Sequence, residues 1–181
     1  AKNTLMTAYP ISMTNTIEED IFIHYDRSYE LLEKEIENLA YVSKDNVLYL
    51  MLDGTICAVD LIAKDSKVIA SGLTEDSYKV SENNKMIAWQ SDTDKTNNKE
   101  LILLNLNTTE ESRTTVPDSQ RIAPIGFMGD DVIYGVADSK DILTDKAGET
   151  IFPMNQIIIQ NEQREVLKQY KQDGVFVTEG L

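Results

Sequence analysis

Apolar residues fall in short runs along this chain, each four to seven residues long and closed by Asp, Asn, Gly or Ser. NVLYLML, TICAVDL, KMIAWQ, ELILLNL, DVIYGVAD and QIIIQ are such runs, rich in Val, Ile, Leu and Tyr. Runs of that length and makeup predict β-strands rather than helices. The pair Asp53-Gly54 between NVLYLML and TICAVDL is a two-residue hairpin signal. LILLNL and IIIQ are nearly continuous in their apolar character, which predicts strands covered on both faces.

The runs recur as a phrase. VSKDNVLYL at 42–50 returns as VSENNKMIAW at 80–89 and more loosely as IGFMGDDVIYG at 125–135. The second run of each unit begins at Val47, Met86 and Val132, about 39 and 46 residues apart, near the period of a four-stranded propeller blade. The expected fold is therefore all-β and propeller-like: consecutive four-stranded antiparallel blades at 39–76, 77–121 and 122–172. Partial units are expected at both ends, over 1–38 and from 173 to 181. In the N-terminal part EEDIFIHYDR predicts a strand over 20–26. Residues 28–38 stay open between strand and helix, because Tyr29, Leu32, Ile36 and Leu39 have helical spacing. Three whole units are fewer than a closed ring usually holds, and the chain opens without an initiator Met. Both features suggest a piece of a longer propeller with its targeting segment removed.

The second unit resembles the TolB-type propeller repeat. Ser81, Asn84, Lys85, Ile87, Ala88 and Trp89 match its turn and following strand, and Leu104, Asn105, Leu106, Thr109 and Glu110 match its later strand and turn. The usual Pro of the turn is absent from all three units, and Asn stands in the second where Gly is usual. The resemblance implies a fold more than an activity. Proteins with such repeats include periplasmic scaffolds, bacterial surface lipoproteins and the non-catalytic propeller of prolyl-oligopeptidase-like hydrolases. The expectation is a non-catalytic binding or scaffolding module acting outside the cytoplasm of a bacterium. One alternative is the substrate-gating propeller of such a hydrolase. Another is a self-assembling module that pairs open blade edges as a homo-oligomer.

Charge narrows the partners. There are 17 basic and 31 acidic residues, a formal net charge of −14, with no Lys/Arg run. So acidic a surface repels phosphate backbones and anionic lipid, which argues against nucleic acid. A protein, peptide or glycan ligand is compatible with it. No stretch has the length and apolarity of a transmembrane helix.

Candidate chemistry is sparse, and no catalytic, cofactor or metal site is expected. In DTDKTNNKE, Asp92, Asp94, Thr96, Asn98 and Glu100 alternate like calcium ligands, but Asn97 occupies the position that needs Gly and Leu103 the position of the bidentate Glu. A solvated hairpin loop fits better. His24 is the single histidine and Cys57 the single cysteine, and Gly-x-Ser-x-Gly is absent. His24 reads as a structural residue sharing a strand face with Phe22 and Asp26, and Cys57 as a small buried thiol that can form no internal disulfide. Gly126, Gly129 and Asp130-Asp131 lack phosphate-loop spacing and read as a turn. Tyr49, Trp89 and Tyr134 occupy nearly equivalent places and read as packing between blades. The long excursion 138–155 is the candidate ligand contact, on its length alone.

Overall fold

A computed structural model describes residues 4–8, 21–25, 28–144, 146, 150–172 and 174–178. The chain divides into two compact units, residues 1–72 and 73–181. Strands dominate. Among the described residues they form three four-stranded and two two-stranded sheets, all antiparallel, with one α-helix.

In the first unit β1 (Thr4–Ala8) pairs with β2 (Ile21–Tyr25). Residues 28–38, open from sequence, resolve into α1 (Tyr29–Asn38), entered from an extended Ser28. Leu32 and Ile36, one turn apart, pack on Leu48, Leu50, Leu52 and Cys57 together with Ile23 and Tyr25. Tyr29 is instead exposed, and Leu39 leaves the helix in an extended conformation and is fully buried. One carboxylate ties this helix down: Glu35 Oε2 accepts from Tyr25 Oη and from the backbone N–H of Asp53, each at 2.8 Å.

The first four-stranded sheet runs β3 (Ala40–Val42), β4 (Val47–Leu52), β5 (Thr55–Asp60) and β6 (Asp65–Ala70), each strand beside the next. Between β4 and β5 both Asp53 (φ 49°) and Gly54 (φ 66°) are left-handed, the backbone of the tight hairpin that Asp-Gly favours.

The second unit repeats that meander twice. β7 (Tyr78–Val80), β8 (Met86–Gln90), β9 (Glu100–Asn105) and β10 (Glu111–Thr115) form one sheet. β11 (Gln120–Met128), β12 (Asp131–Asp138), β15 (Gln156–Gln160) and β16 (Val166–Lys171) form the next. Between β12 and β15 the chain makes one 3₁₀ turn (Ser139–Asp141) and a short hairpin of β13 (Leu143–Thr144) and β14 (Thr150–Ile151). β11 carries a bulge at Ile125, beside Pro124, whose missing N–H weakens the ladder there.

The same side-chain devices recur at equivalent turns. Ser43 Oγ accepts from Val47 N–H and Ser81 Oγ from Met86 N–H, closing the turns before β4 and β8. After the third strand of each sheet, Asp60, Asn105 and Asn161 accept backbone N–H groups of the next turn through Oδ1. A left-handed residue follows each: Lys64, Thr109 and Arg164. Short side chains that accept from the backbone suit such turns because they satisfy donors the ladder has released.

The core of the second unit lies between its two four-stranded sheets. Met86, Ala88, Leu101 and Leu103 of one meet Ile122, Val132, Tyr134, Val136 and Ile158 of the other. Each large aliphatic side chain so buried contributes about 1.5–3 kcal/mol. The phenol of Tyr134 donates to Gln160 Oε1 at 2.9 Å, and Gln160 Nε2 donates to Thr114 Oγ1 at 2.9 Å. These bonds give the Tyr134 hydroxyl and both polar atoms of the Gln160 amide a partner.

Candidate functional site

The largest interruption of the repeat shapes the candidate site. Where β4 and β5 turn in two residues, β12 and β15 are separated by 17. The excursion starts at the end of β12, where Ser139 N–H bonds Ser119 C=O, and returns through Phe152 and Met154. Phe152 and Met154 pack on Ala123 and Ala137, with Ile125, Ile142 and Val177 alongside. Met154 and Val177 exchange both backbone hydrogen bonds, at 2.8 and 2.9 Å. Asn155 N–H then reaches Val136 C=O and starts the β12–β15 ladder.

A cleft of 290 Å³ opens between this excursion and the chain leaving β16. Asp138, Asp141, Lys140 and Lys171 line it with Asn155 and Phe176. The two carboxylates are half-buried and the two ammonium groups exposed. Ion pairs do form elsewhere in this unit, among them Lys95–Asp76, Lys99–Asp118 and Arg113–Glu100. None joins the four charges of the cleft to any described residue. Asn155 Oδ1 is buried and has no partner among the described residues.

The residues singled out from sequence lie apart from the cleft, except for the excursion itself. Asp92 Oδ1 accepts from Asp94 N–H, and Asp94 Oδ1 from the N–H and hydroxyl of Thr96. The Thr96 contacts hold the Asp94 carboxyl below its ordinary pKa. Asn98 is fully buried: its Oδ1 accepts from Asp92 N–H and its Nδ2 donates to Ile122 C=O at 2.8 Å. The alternating oxygens of 92–98 thus serve turn closure and the seating of β11. Among the described residues no group of three or more His, Cys, Asp or Glu side chains could hold a metal. His24 lies in β2 opposite Leu5, and Asp26 lies outside the described residues. Cys57 is half-buried under α1, and burial pushes its thiol pKa up, away from a reactive thiolate.

Gly129 (φ 64°) and Asp130 form the two-residue turn between β11 and β12, and Asp130 Oδ1 accepts from Asn83 Nδ2 across to the preceding sheet. The aromatic positions need one correction. Ser43 bonds Val47 where Ser81 bonds Met86, so the second turn holds one residue more. Trp89 and Tyr134 are then equivalent, whereas Tyr49 sits one place earlier, on the opposite face of its strand.

No family model matches the chain, and no curated protein matches it. It is similar to solved structures described as U3-55K (TM-score 0.39, 10% identity, covering 77% of this chain and 40% of that one), a mitotic checkpoint complex (0.31, 10%, 78% and 51%) and hydrazine synthase of Kuenenia stuttgartiensis (0.29, 11%, 88% and 58%). The chain spans between 40% and 58% of the length of those three chains. At such similarity they establish neither a family nor a partner. Among the described residues no helix is long and apolar enough to cross a membrane.

Proposed function

We propose that the chain is a TolB-like propeller segment that serves as a non-catalytic binding or scaffolding module, acting outside the cytoplasm of a bacterium. The observation that carries this reading is the contrast between a repeated frame and one unrepeated excursion. Three sheets share strand order and turn devices, which makes a repeated frame. The excursion 139–155 departs from it, displays Leu143 and Ile151 side by side and exposed, and opens a polar cleft. Loops on a rigid frame are where binding groups concentrate. The test is to replace residues 139–153 by Asp-Gly and compare both proteins on peptide and glycan arrays. Saturable binding that the replacement abolishes, with thermal unfolding still cooperative, supports the reading. Binding that survives the replacement, or none on either array, overturns it.

A second reading is self-assembly through sheet edges. β16 is exposed at all six residues and shows Val166, Leu167 and Tyr170 to solvent. Lys168 and Lys171 on the same strand are the kind of charge that blocks edge pairing. Light scattering decides it: a mass near 20.4 kDa excludes pairing, and a multiple of it supports pairing.

A further inference from the structure

We infer that the cleft beneath the excursion takes a small dipolar ligand, one that carries an ammonium and a carboxylate within the same short molecule. The inference rests on the binding reading above and names the ligand class of that site. Its basis is the set of unspent groups in one concavity. Asp138 and Asp141 bring two half-buried side chains that end in carboxylates. Together they offer acceptors only, which suits an ammonium with its three N–H groups. Lys140 and Lys171 line the same cleft and offer donors only, which suits a carboxylate.

Opposite charges in one concavity that do not pair leave room between them for a molecule bearing both signs. Phe176, half-exposed at the cleft, supplies an apolar surface for the carbon skeleton. A free α-amino acid and a short peptide with free ends share this chemistry.

Isothermal titration of the whole chain with glycine, glycylglycine and N-acetylglycinamide tests it. Saturable binding of a zwitterion, on the order of 1 mM, is expected, with at least a tenfold preference over the neutral N-acetylglycinamide. Glycine binding as tightly as glycylglycine assigns the site to free amino acids. Binding of the dipeptide alone assigns it to peptides. Asp138→Asn and Lys171→Met should each weaken binding about tenfold, and added salt should weaken it in the unmodified chain. The salt titration needs no variant and so stands even if a substitution disturbs folding. Absence of saturable binding by either zwitterion, equal binding of the neutral compound, or affinities that ignore both substitutions and salt would overturn the inference. Array binding lost on excursion replacement would still uphold the broader reading in that case, so the two fail separately.

Discussion

Two faces of the second unit occupy the same place in the repeat and are covered in different ways. Registering β8 on β12 from their preceding turns makes Ala88 equivalent to Ile133 and Gln90 to Gly135. The ladders then make Leu101, Leu103 and Asn98 equivalent to Ile157, Ile159 and Met154. The first face lies under a whole sheet, and its Met86, Ala88, Leu101 and Leu103 are at most 3% exposed. On the second, Ile133, Ile157 and Ile159 are only half-buried, and Phe152, Met154 and Val177 cover its other part. Val177 bonds Met154 where Ile122 bonds Asn98. A strip of backbone thus seats where a full sheet seats on the neighbour. A single frame can end against a sheet or against its own loop, provided the same backbone groups are met.

The largest effect should separate the two faces outright. Leu103→Ala should cost about 2–5 kcal/mol, the range for emptying a closed aliphatic site. Ile159→Ala at the equivalent position should cost well under half of that, because its side chain is already partly in water. Urea unfolding at constant m-value measures both. Equal losses would mean that the two faces are equally covered and would break the comparison.

The next effect tests how the strip seats. In the first face a long side chain, Gln90, rises from the strand and a short one, Asn98, from the loop. In the second the order is reversed, with Gly135 on the strand and Met154 on the loop. A Cβ at Gly135 would collide with the Met154 side chain. Gly135→Ala should therefore cost about 1–3 kcal/mol. Adding Met154→Ala should recover part of that loss, a non-additivity that a double-mutant cycle reads directly. Strict additivity would show that Met154 does not fill that space.

Much of this frame was legible in the chain. Short β-branched runs gave the strands, Asp53-Gly54 the tight hairpin, and the recurring Ser and Asn/Asp positions the turns that side chains close. The helix α1 was ambiguous because Tyr29 mimics its stripe while standing exposed, and only Leu32 and Ile36 face the sheet. The slip of Tyr49 was hidden because matching phrases cannot show that one turn holds an extra residue. The cleft was hidden for a similar reason. Asp138, Asn155 and Lys171 are far apart in sequence, and the β12–β15–β16 pairing alone brings them to one end of a sheet. The length of the excursion pointed to the region without naming its residues.

A smaller effect concerns the amide of Gln90. It is buried to 1% exposure, and both its oxygen and nitrogen are without partners among the described residues. Gln90→Met keeps the length of the side chain and removes the orphan groups. It should stabilise the chain by about 1 kcal/mol, since the desolvation penalty disappears with the amide. A loss of stability would mean that the amide is satisfied in solution, by trapped water for instance, and that the two faces differ less than their packing suggests.

The smallest effect sets the loops at the two ends against each other in acid. Asp94 is held low by the Thr96 hydroxyl and N–H, Asp118 by Lys99, and Asp76 by Lys95. A carboxyl whose folded pKa is depressed stabilises the fold above its unfolded value, about 3.9, and that contribution fades as pH falls through the lower folded value. Acid should therefore loosen the loop 92–98 and its neighbours below about pH 4, while neutral and alkaline pH leaves them unchanged. These groups are largely exposed, so the shift in stability should be slight, and high salt should reduce the Asp76 and Asp118 parts further. Among the described residues the cleft carboxylates Asp138 and Asp141 have no ion-pair partner to lose. Hydrogen exchange of the loop amides from pH 6 down to pH 3, corrected for intrinsic rates, checks this. Faster relative exchange at Thr96 and Asn97 than at Ser139 and Asn155 is the expected result. Uniform loosening would show that acid acts through net charge on the whole chain rather than through these turns.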